Sequence, residues 1–562
     1  MQTNRPVHRE LRHDDLPADD TVARRWLLAL AVFVCSALFY SINSGGTPHF
    51  DELYHVLAAR GLLSDGSPTI AEGVYERAYL HTWLIAQFFR GFGESLSVAR
   101  LPSALAMAGT VTVLFAWLRQ VAGSRAAVLG AALFALSPFA VDIAQFARFY
   151  GLQSVTFVSG SLLVYGAVES TGSGRWTRAL AALVLLGVAA YFQSTSLIGI
   201  AGIAAWLTVR IGLAWVASAR GGSRGRGTRA ALALPVLLIL GLLGALALYA
   251  SGAWQPLLEA YRHTAEFNRG DAGNVLYYHL WYLLYYPTLW PLIAVLVIMA
   301  IAWRPGPAWF AATIFLVAIV LSSFAGSKNL RYVVYAQPYA FALFGIAIAS
   351  VWGPLVRFST ELRGRFASTL PFPEPTARRL ANAASIVALG VLLLGNSATV
   401  RTLSLLADIE IPPEEKSVRW RAAESALRPL LERSDVVVTM TELEMLYYFD
   451  RYDILLSSSR LGEIPEGVDF SADFRTGRPV IGSVEAMGKV LECYDSGVLV
   501  TNTRRWGGTK FVSAEMARLI ERSTEAVPLP KESRVLAFEW RRDDAPATEP
   551  AYCDSLPPLS GG

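Results

Sequence analysis

Apolar residues gather in long runs over the first 400 positions and thin out afterwards. A helix needs about 20 mostly apolar residues to cross a bilayer, with about 17–25 tolerated. Runs of this length predict about eleven membrane spans, at 26–43, 100–119, 126–142, 152–169, 179–196, 197–215, 230–250, 281–303, 308–325, 334–353 and 380–398. A shorter, aromatic-rich run at 79–92 predicts a helix that lies in the membrane interface.

The chain after position 400 has the pattern of a small α/β domain. Short β-branched and apolar runs predict strands at 436–438, 454–456, 480–481, 498–500 and 535–538. Helical periodicity lies between them, near 416–433, 441–449, 483–492 and 513–522. This alternation predicts an external soluble α/β domain over 401–543, after a transmembrane domain over 23–400. The polar termini, 1–22 and 544–562, have the composition of disordered segments.

Composition agrees with a membrane protein, since 53% of the 562 residues are hydrophobic and only 17% are charged. The formal net charge of +4 gives no support to nucleic acid binding. The three cysteines, Cys35, Cys493 and Cys553, are too few for a disulfide scaffold or a zinc cluster. Cys493 and Cys553 both lie in the predicted soluble domain, and the sequence leaves open whether they are bonded.

The arginines indicate how the chain is oriented. Cytoplasmic loops of membrane proteins carry an excess of Lys and Arg. With the N-terminus inside, the cluster at 220–229 and the one at 357–379 both fall in the cytoplasm. Counting 79–92 as a span would move these clusters outside. The odd number of spans then places the soluble domain and the segments 44–99, 142–151, 251–280 and 327–332 on the external face.

Two adjacent carboxylates open the first external loop, 44–99, directly after the first span. Asp51 and Glu52 fit the start of a helix, where acidic residues cap the backbone. They also fit a general base that faces a substrate, with a pKa raised by partial shielding at the interface. Spacing alone leaves both interpretations open.

The same pair resembles the hallmark of the GT-C glycosyltransferases, in particular the protein O-mannosyltransferase and aminoarabinose transferase group of glycosyltransferase family 39. Residues 75–80, Tyr-Glu-Arg-Ala-Tyr-Leu, resemble that group's Tyr-x-Glu-Lys-Pro-Pro-Leu stretch, with Arg77 in place of lysine and without the prolines. Residues 99–103, Ala-Arg-Leu-Pro-Ser, resemble the opening of its second span.

Two later segments continue the resemblance in matching order over residues 26–355. Residues 147–150, Ala-Arg-Phe-Tyr, resemble the group's Ala-Arg-x-Tyr turn, and residues 327–332 with Pro338 resemble its Lys-x-x-Arg-Tyr segment. Gln153 departs from relatives that carry an aspartate in this region. The soluble domain resembles no known family.

The resemblance implies an inverting glycosyltransferase with a GT-C-like fold of about eleven spans in a bacterial-type inner membrane, acting on the external, periplasmic side. The donor would be a polyprenyl-phosphate sugar and the acceptor a glycan, lipid or protein, without a cofactor. Asp51 would be the catalytic base, with Glu52 beside it. The donor phosphate would be held by Lys328, Arg331, Arg148 and Arg77. Further substrate contacts would come from Glu76, Tyr75, Tyr150 and His55. The external histidines have no metal-ligand spacing, so no metal site is predicted.

Other classes of function remain open from the residues. A transporter or flippase of lipid-linked saccharide would place its polar residues at mid-membrane in broken helices, whereas here they lie at span ends. A non-catalytic assembly subunit with a degenerate GT-C core also fits. Arg100 and Arg331, considered singly, are compatible with interfacial anchors that extend to lipid headgroups.

Overall fold

The computed structural model describes residues 22–170, 172–221, 273–366, 395–409, 418–457, 468–507 and 511–542, with several single residues between and after these ranges. The spans predicted at 230–250 and, for the most part, at 380–398 lie outside the described residues. Within the described ranges, seven helices are long and apolar enough to cross a membrane, and a bent helix pair raises the number to eight.

Up to position 407, the described residues form helices, one short hairpin and one 3₁₀ helix. They are α1 (Val22–Tyr40), α2 (Phe50–Ser64), β1 (Thr69–Ile70), β2 (Gly73–Val74), α3 (Tyr79–Phe92), α4 (Leu96–Ala122), α5 (Ser124–Ala135), α6 (Pro138–Ala144), α7 (Tyr150–Glu169), α8 (Arg175–Phe192), α9 (Ser196–Gly221), α10 (Tyr277–Tyr285), α11 (Ile293–Trp303), α12 (Pro305–Ser323), the 3₁₀ helix Leu330–Ala336, α13 (Gln337–Phe366) and α14 (Ser397–Ala407).

Two predicted spans are broken, and proline accounts for both breaks. The run at 126–142 forms α5 and α6, which meet at 59°, because Pro138 cannot continue a helix and Ser137 starts a new one by accepting a hydrogen bond from the Ala140 amide. The run at 281–303 is divided between α10 and α11, and Pro287 and Pro291 lie in the gap. The helix predicted at 79–92 is present as α3.

The C-terminal region is α/β, as predicted. Its elements are α15 (Trp420–Arg433), β3 (Val436–Thr439), α16 (Glu442–Phe449), β4 (Ile454–Leu456), β5 (Ser471–Ala472), β6 (Pro479–Ile481), α17 (Val484–Cys493), β7 (Ser496–Asn502), α18 (Ala514–Ser523), β8 (Glu525–Ala526), the 3₁₀ helix Lys531–Ser533 and β9 (Val535–Arg541). The strand order is β5-β6-β4-β3-β7-β9-β8. The four strands from β6 to β7 are parallel, and the edges are antiparallel.

Helices cover both faces of this sheet. Every residue of β3 is buried, as expected for a central parallel strand of β-branched residues. One face packs against α15 and α16, and the other packs against α17 and α18. A disulfide joins Cys493 at the end of α17 to Cys553, with 5.4 Å between their Cα atoms. This bond answers the question that the sequence leaves open.

The loop 44–99 and the C-terminal domain share one hydrophobic core. Leu53, Tyr54, Leu57 and Ala58, on one side of α2, are buried in the same cluster as the sheet face that α15 and α16 cover. The other side of α2 packs on α3 and the start of α4. Helix α2 therefore lies between the membrane helices and the C-terminal domain, and both fix its position.

Candidate active site

The first turn of α2 is held by a capping arrangement around His49. The His49 ring nitrogen Nδ1 accepts a hydrogen bond from the Asp51 amide at 3.1 Å, and the Glu52 carboxylate accepts one from the His49 amide at 2.8 Å. These are the reciprocal bonds of a capping box. The cap therefore uses Glu52 and leaves the carboxylate of Asp51 available for another partner.

Glu52 is fully buried, and each of its carboxylate oxygens is bound. Arg100 donates to it through Nε at 3.0 Å and through Nη2 at 2.6 Å, and the Ala147 amide donates at 2.8 Å. Arg100 also donates to the carbonyls of Ser44 and Thr47. Arg100 is thus a buried ion-pair partner and not an interfacial anchor. The arrangement favours a role for Glu52 in orienting the loop over direct proton transfer.

Asp51, unlike Glu52, is partly exposed. Its side chain remains 27% exposed, and its Oδ2 lies 2.7 Å from Nη1 of Arg331. Arg148 donates from Nη1 to the Asp51 carbonyl at 2.9 Å and to the Tyr75 hydroxyl at 3.2 Å. The structure therefore brings together the predicted base and two of the predicted phosphate-binding cations, although they are far apart in the sequence.

Aromatic rings support these arginines. The guanidinium of Arg331 lies 5.8 Å from the ring centroid of Tyr150, and those of Arg148 and Arg77 lie 4.9 and 5.3 Å from the ring of Phe149. Cations are attracted to aromatic faces in this range. Arg77 also donates to Gln193 at 3.3 Å. The three arginines thus gather on neighbouring rings beside Asp51.

Other predicted site residues are placed differently. Lys328 is buried and donates to the Ala325 carbonyl at 2.9 Å. It precedes the 3₁₀ helix that contains Arg331. Glu76 is exposed. His55 is fully buried and bonded to Thr82 at 2.8 Å, so it packs behind Tyr75 instead of facing solvent near Asp51.

Gln153, the departure from the family pattern, has a structural contact of its own. Its side-chain amide donates to the hydroxyls of Thr195 at 3.1 Å and Ser196 at 2.9 Å, joining α7 to the start of α9. An amide suits this position because it can donate to both hydroxyls, which a carboxylate cannot do. These contacts support no second acidic role at this position.

The surroundings of Asp51 lower its pKa. Burial raises the pKa, but Arg331, His49 and Arg148 together outweigh burial and lower it to about 2. The raised pKa predicted from partial shielding is therefore wrong for this state of the protein, because the sequence did not reveal the facing arginines. The carboxylate is ionised at neutral pH, and its partner must be displaced before it can act as an effective base.

A polar cavity of about 270 Å³ adjoins the Asp51–Arg331 ion pair. Its lining includes His49, Asn329, the two arginines Arg100 and Arg331, and the carboxylate residues Glu52, Asp142 and Asp408. A cavity of about 540 Å³ lies in the C-terminal domain and shares no residue with it. Among the described residues, no group of three or more His, Cys, Asp and Glu is arranged to hold a metal ion. The site is thus a polar space beside an ionised carboxylate and a cation.

Comparison with known proteins identifies the fold. Residues 76–222 match the protein family described as dolichyl-phosphate-mannose-protein mannosyltransferase. The structure of ArnT from Cupriavidus metallidurans bound to undecaprenyl phosphate is similar over 92% of this chain and 98% of that one, with a TM-score of 0.55 and 17% identity. Its apo state has the same coverage and TM-score and 18% identity. The chain has the GT-C fold.

A more distant GT-C structure extends the comparison. The archaeal oligosaccharyltransferase AglB from Archaeoglobus fulgidus, in complex with an inhibitory peptide and a dolichol-phosphate, is similar over 85% of this chain and 70% of that one, with a TM-score of 0.50 and 13% identity. No curated protein sequence matches the chain. The GT-C resemblance predicted from the motifs is therefore confirmed.

Within the GT-C fold, some residues near Asp51 were not predicted from the sequence. Asp408, at the end of α14, lines the cavity beside Arg331. Gln145 donates to the carbonyls of Tyr40 and Ile42 and ties α6 to the end of α1. The Ala-Arg-Leu-Pro-Ser segment indicated that Arg100 matters but not that Glu52 is its partner. No local pattern marks Asp408, because only the fold brings it to the cavity.

Proposed function

We propose that the protein is an inverting glycosyltransferase that moves a sugar from a polyprenyl-phosphate donor to an acceptor at the external face of the membrane. The observation that carries the proposal is the 2.7 Å contact between Asp51 and Arg331 beside an open polar cavity. One site then holds both a carboxylate base and a cation for a phosphate. The similarity in fold to an ArnT structure bound to undecaprenyl phosphate supports this donor class.

The reaction follows from these groups. The acceptor hydroxyl attacks the anomeric carbon while Asp51 takes its proton. The bond from that carbon to the phosphate oxygen breaks, and the lipid phosphate leaves with the electron pair. Arg331 and Arg148 stabilise the charge on the leaving group, because a guanidinium can donate two hydrogen bonds to a phosphate. Attack opposite the leaving group inverts the configuration of the sugar.

Donor binding also affects the pKa of Asp51, because Asp51 and the donor phosphate would share Arg331. A phosphate that binds Arg331 competes with Asp51 for the same guanidinium, so part of the charge that lowers the Asp51 pKa is withdrawn. The pKa of the carboxylate then rises as the donor enters. Donor binding in this way turns a weakly basic carboxylate into a better base at the moment when the sugar is in place.

The external orientation rests on charge and on the disulfide. Structural disulfides persist in oxidising compartments and are rare in the cytosol, and the C-terminal domain contains the bond between Cys493 and Cys553. In intact cells, an impermeant thiol reagent should label Ser523→Cys in this domain and leave Ser223→Cys unlabelled, with Cys35 replaced by alanine in both. The reverse pattern would place Asp51 on the cytoplasmic face.

The activity itself is tested by supplying purified protein in lipid nanodiscs with radiolabelled polyprenyl-phosphate sugars and a membrane extract. The expected result is label transfer to an acceptor with inversion at the anomeric carbon, and transfer by Asp51→Asn that is slower by about a hundredfold or more. Movement of lipid-linked sugar across a bilayer without transfer would instead identify a flippase. Absence of both activities with all donors would favour a non-catalytic subunit.

A further inference from the structure

Two arginines of the C-terminal domain lie on aromatic rings of α2 close to Asp51. Phe50 precedes Asp51, and Tyr54 lies one helical turn after it. The guanidinium of Arg505 lies 4.6 Å from the ring centroid of Phe50, and that of Arg475 lies 5.0 Å from the ring of Tyr54. The C-terminal domain thus contacts α2 on both sides of the candidate base, at Phe50 and at Tyr54.

The buried carboxylate of Glu442 lies close to both arginines. Glu442, at the start of α16, is 3% exposed, and its oxygens lie 3.9 Å from Nη1 of Arg475 and 3.7 Å from Nη1 of Arg505. Arg505 also donates to the Met440 carbonyl. Two guanidinium groups repel each other without a shared anion between them. Glu442 therefore fixes both cations against the rings of α2.

A second route leads from Tyr54 to the backbone of Asp51. The Tyr54 ring is stacked on Tyr75, with 5.1 Å between centroids and 14° between planes. The Tyr75 hydroxyl accepts from Arg148, and the same nitrogen of Arg148 donates to the Asp51 carbonyl. A shift of Tyr54 is thus passed to the arginine beside Asp51 as well as to α2 itself.

We propose that Glu442 is a positioning residue for the transfer reaction: through Arg475 and Arg505 it sets the place of Phe50 and Tyr54, and with them the carboxylate of Asp51. This role rests on the proposed function, because it concerns the geometry of that reaction. The C-terminal domain is then part of the catalytic apparatus, although it contributes no group that touches the reacting atoms.

The test compares Glu442→Gln with Glu539→Gln in full-length protein in nanodiscs. Glu539 is the matched control, since it pairs with Arg433 at 2.7 Å in the same domain, away from α2. A displaced base should lower kcat about tenfold to a hundredfold, because small misplacements of reacting groups have effects of this size. KM for the lipid donor should change less than about twofold, since Arg331 stays in place. The control should match the wild type.

A second measurement separates positioning from overall stability and from the proposed reaction. Hydrogen exchange of the amides of residues 50–56 should become about tenfold faster in Glu442→Gln, while the strands β3 and β7 keep their protection. Faster exchange in α2 without transferase activity in the wild type would sink the proposed reaction and leave the positioning contact standing. Unchanged exchange and unchanged kcat would overturn the proposal.

If Glu442→Gln fails to fold, Phe50→Leu gives the same information. It keeps an apolar side chain but removes the ring under Arg505. The expected result is again a lower kcat with an unchanged donor KM. A normal kcat, with only a lower unfolding temperature, would show that the contact between the C-terminal domain and α2 is merely structural.

Discussion

The first turn of α2 contains two adjacent carboxylates whose surroundings differ. Glu52 points into the protein, where Arg100 and a backbone amide occupy its oxygens. The carboxylate of Asp51 is partly exposed and pairs with Arg331, which lines a cavity. Both are carboxylate–arginine pairs beside the same cavity, yet the Glu52 side chain is fully buried with both oxygens bound, whereas the Asp51 side chain is 27% exposed. The comparison teaches that the exposure and bonding of the carboxylate oxygens, and not charge, separate the two roles.

Replacing Asp51 with asparagine should have the largest effect. The amide keeps the shape and can still accept from Arg331, but it cannot take a proton. Turnover should fall by about 10²–10⁴-fold, the usual contribution of a general base, while the donor still binds. The measurements are kcat and donor affinity in nanodiscs. Near-normal turnover would exclude Asp51 as the base and leave no functional difference between Asp51 and Glu52.

Glu52→Gln should act on stability instead. It leaves the buried guanidinium of Arg100 without its counter-charge, and breaking a buried pair in this way costs about 3–5 kcal/mol. The thermal unfolding midpoint in detergent should drop clearly. Glu169→Gln is the control, since its pair with Arg210 is exposed and should contribute less than about 1 kcal/mol. A stable Glu52→Gln protein with no turnover would show that both carboxylates are catalytic.

Arg331→Lys should weaken use of the lipid donor. A lysine cannot hold a phosphate through two parallel hydrogen bonds, so kcat/KM should fall by about 1.5–3 kcal/mol, the range for one charge-assisted hydrogen bond. Arg210→Lys, in an exposed pair at the other end of a span, is the matched control. Unchanged donor kinetics in Arg331→Lys would move the phosphate site toward Arg148 and Arg77.

The smallest effect concerns pH. Because the pKa of Asp51 is lowered from 3.8 to about 2, with Arg331 the largest of the groups that oppose burial, the carboxylate stays charged until pH falls toward 2, and the stability that it contributes declines progressively from about pH 4 to pH 2. Removing the cation in Arg331→Gln takes away the largest of the groups that lower the pKa, so the pKa rises. The residual kcat/KM of this variant should therefore decline between pH 7 and pH 4, where the wild type shows no decline from this group.

Much of this architecture could be predicted from the sequence because its signals are local. The strands β3, β7 and β9 and the helices around them lie close to their predicted positions, since β-branched runs and helical periodicity are read within a few residues. Asp51 was singled out by its place after the first span. The structure brings Arg331 and Arg148 to this residue, and their predicted roles in a phosphate site stay predictions.

The rest depended on contacts between distant positions. Arg100 lies 48 residues from Glu52, and no local pattern distinguishes its buried pair from an anchor at the interface. Arg331 lowers the pKa of Asp51 from the far end of the membrane region, so the sign of the shift could not be predicted. The apolar side of α2 fitted a membrane-facing helix equally well, although it packs on the C-terminal domain.

That shared core also orders events in time. Leu53, Tyr54 and Leu57 are synthesised early, whereas Trp420 and Leu443, which complete their core, emerge after all the membrane helices. Chains are made from the N-terminus, and domains fold as they emerge. The apolar face of α2 therefore stays uncovered until the C-terminal domain has been made. A copy interrupted before the C-terminal domain would have Asp51, Arg148 and Arg331 in an inserted membrane region but would lack the surface that packs on α2. We therefore expect unfinished copies to be inactive in sugar transfer until the last part of the chain completes the core around α2.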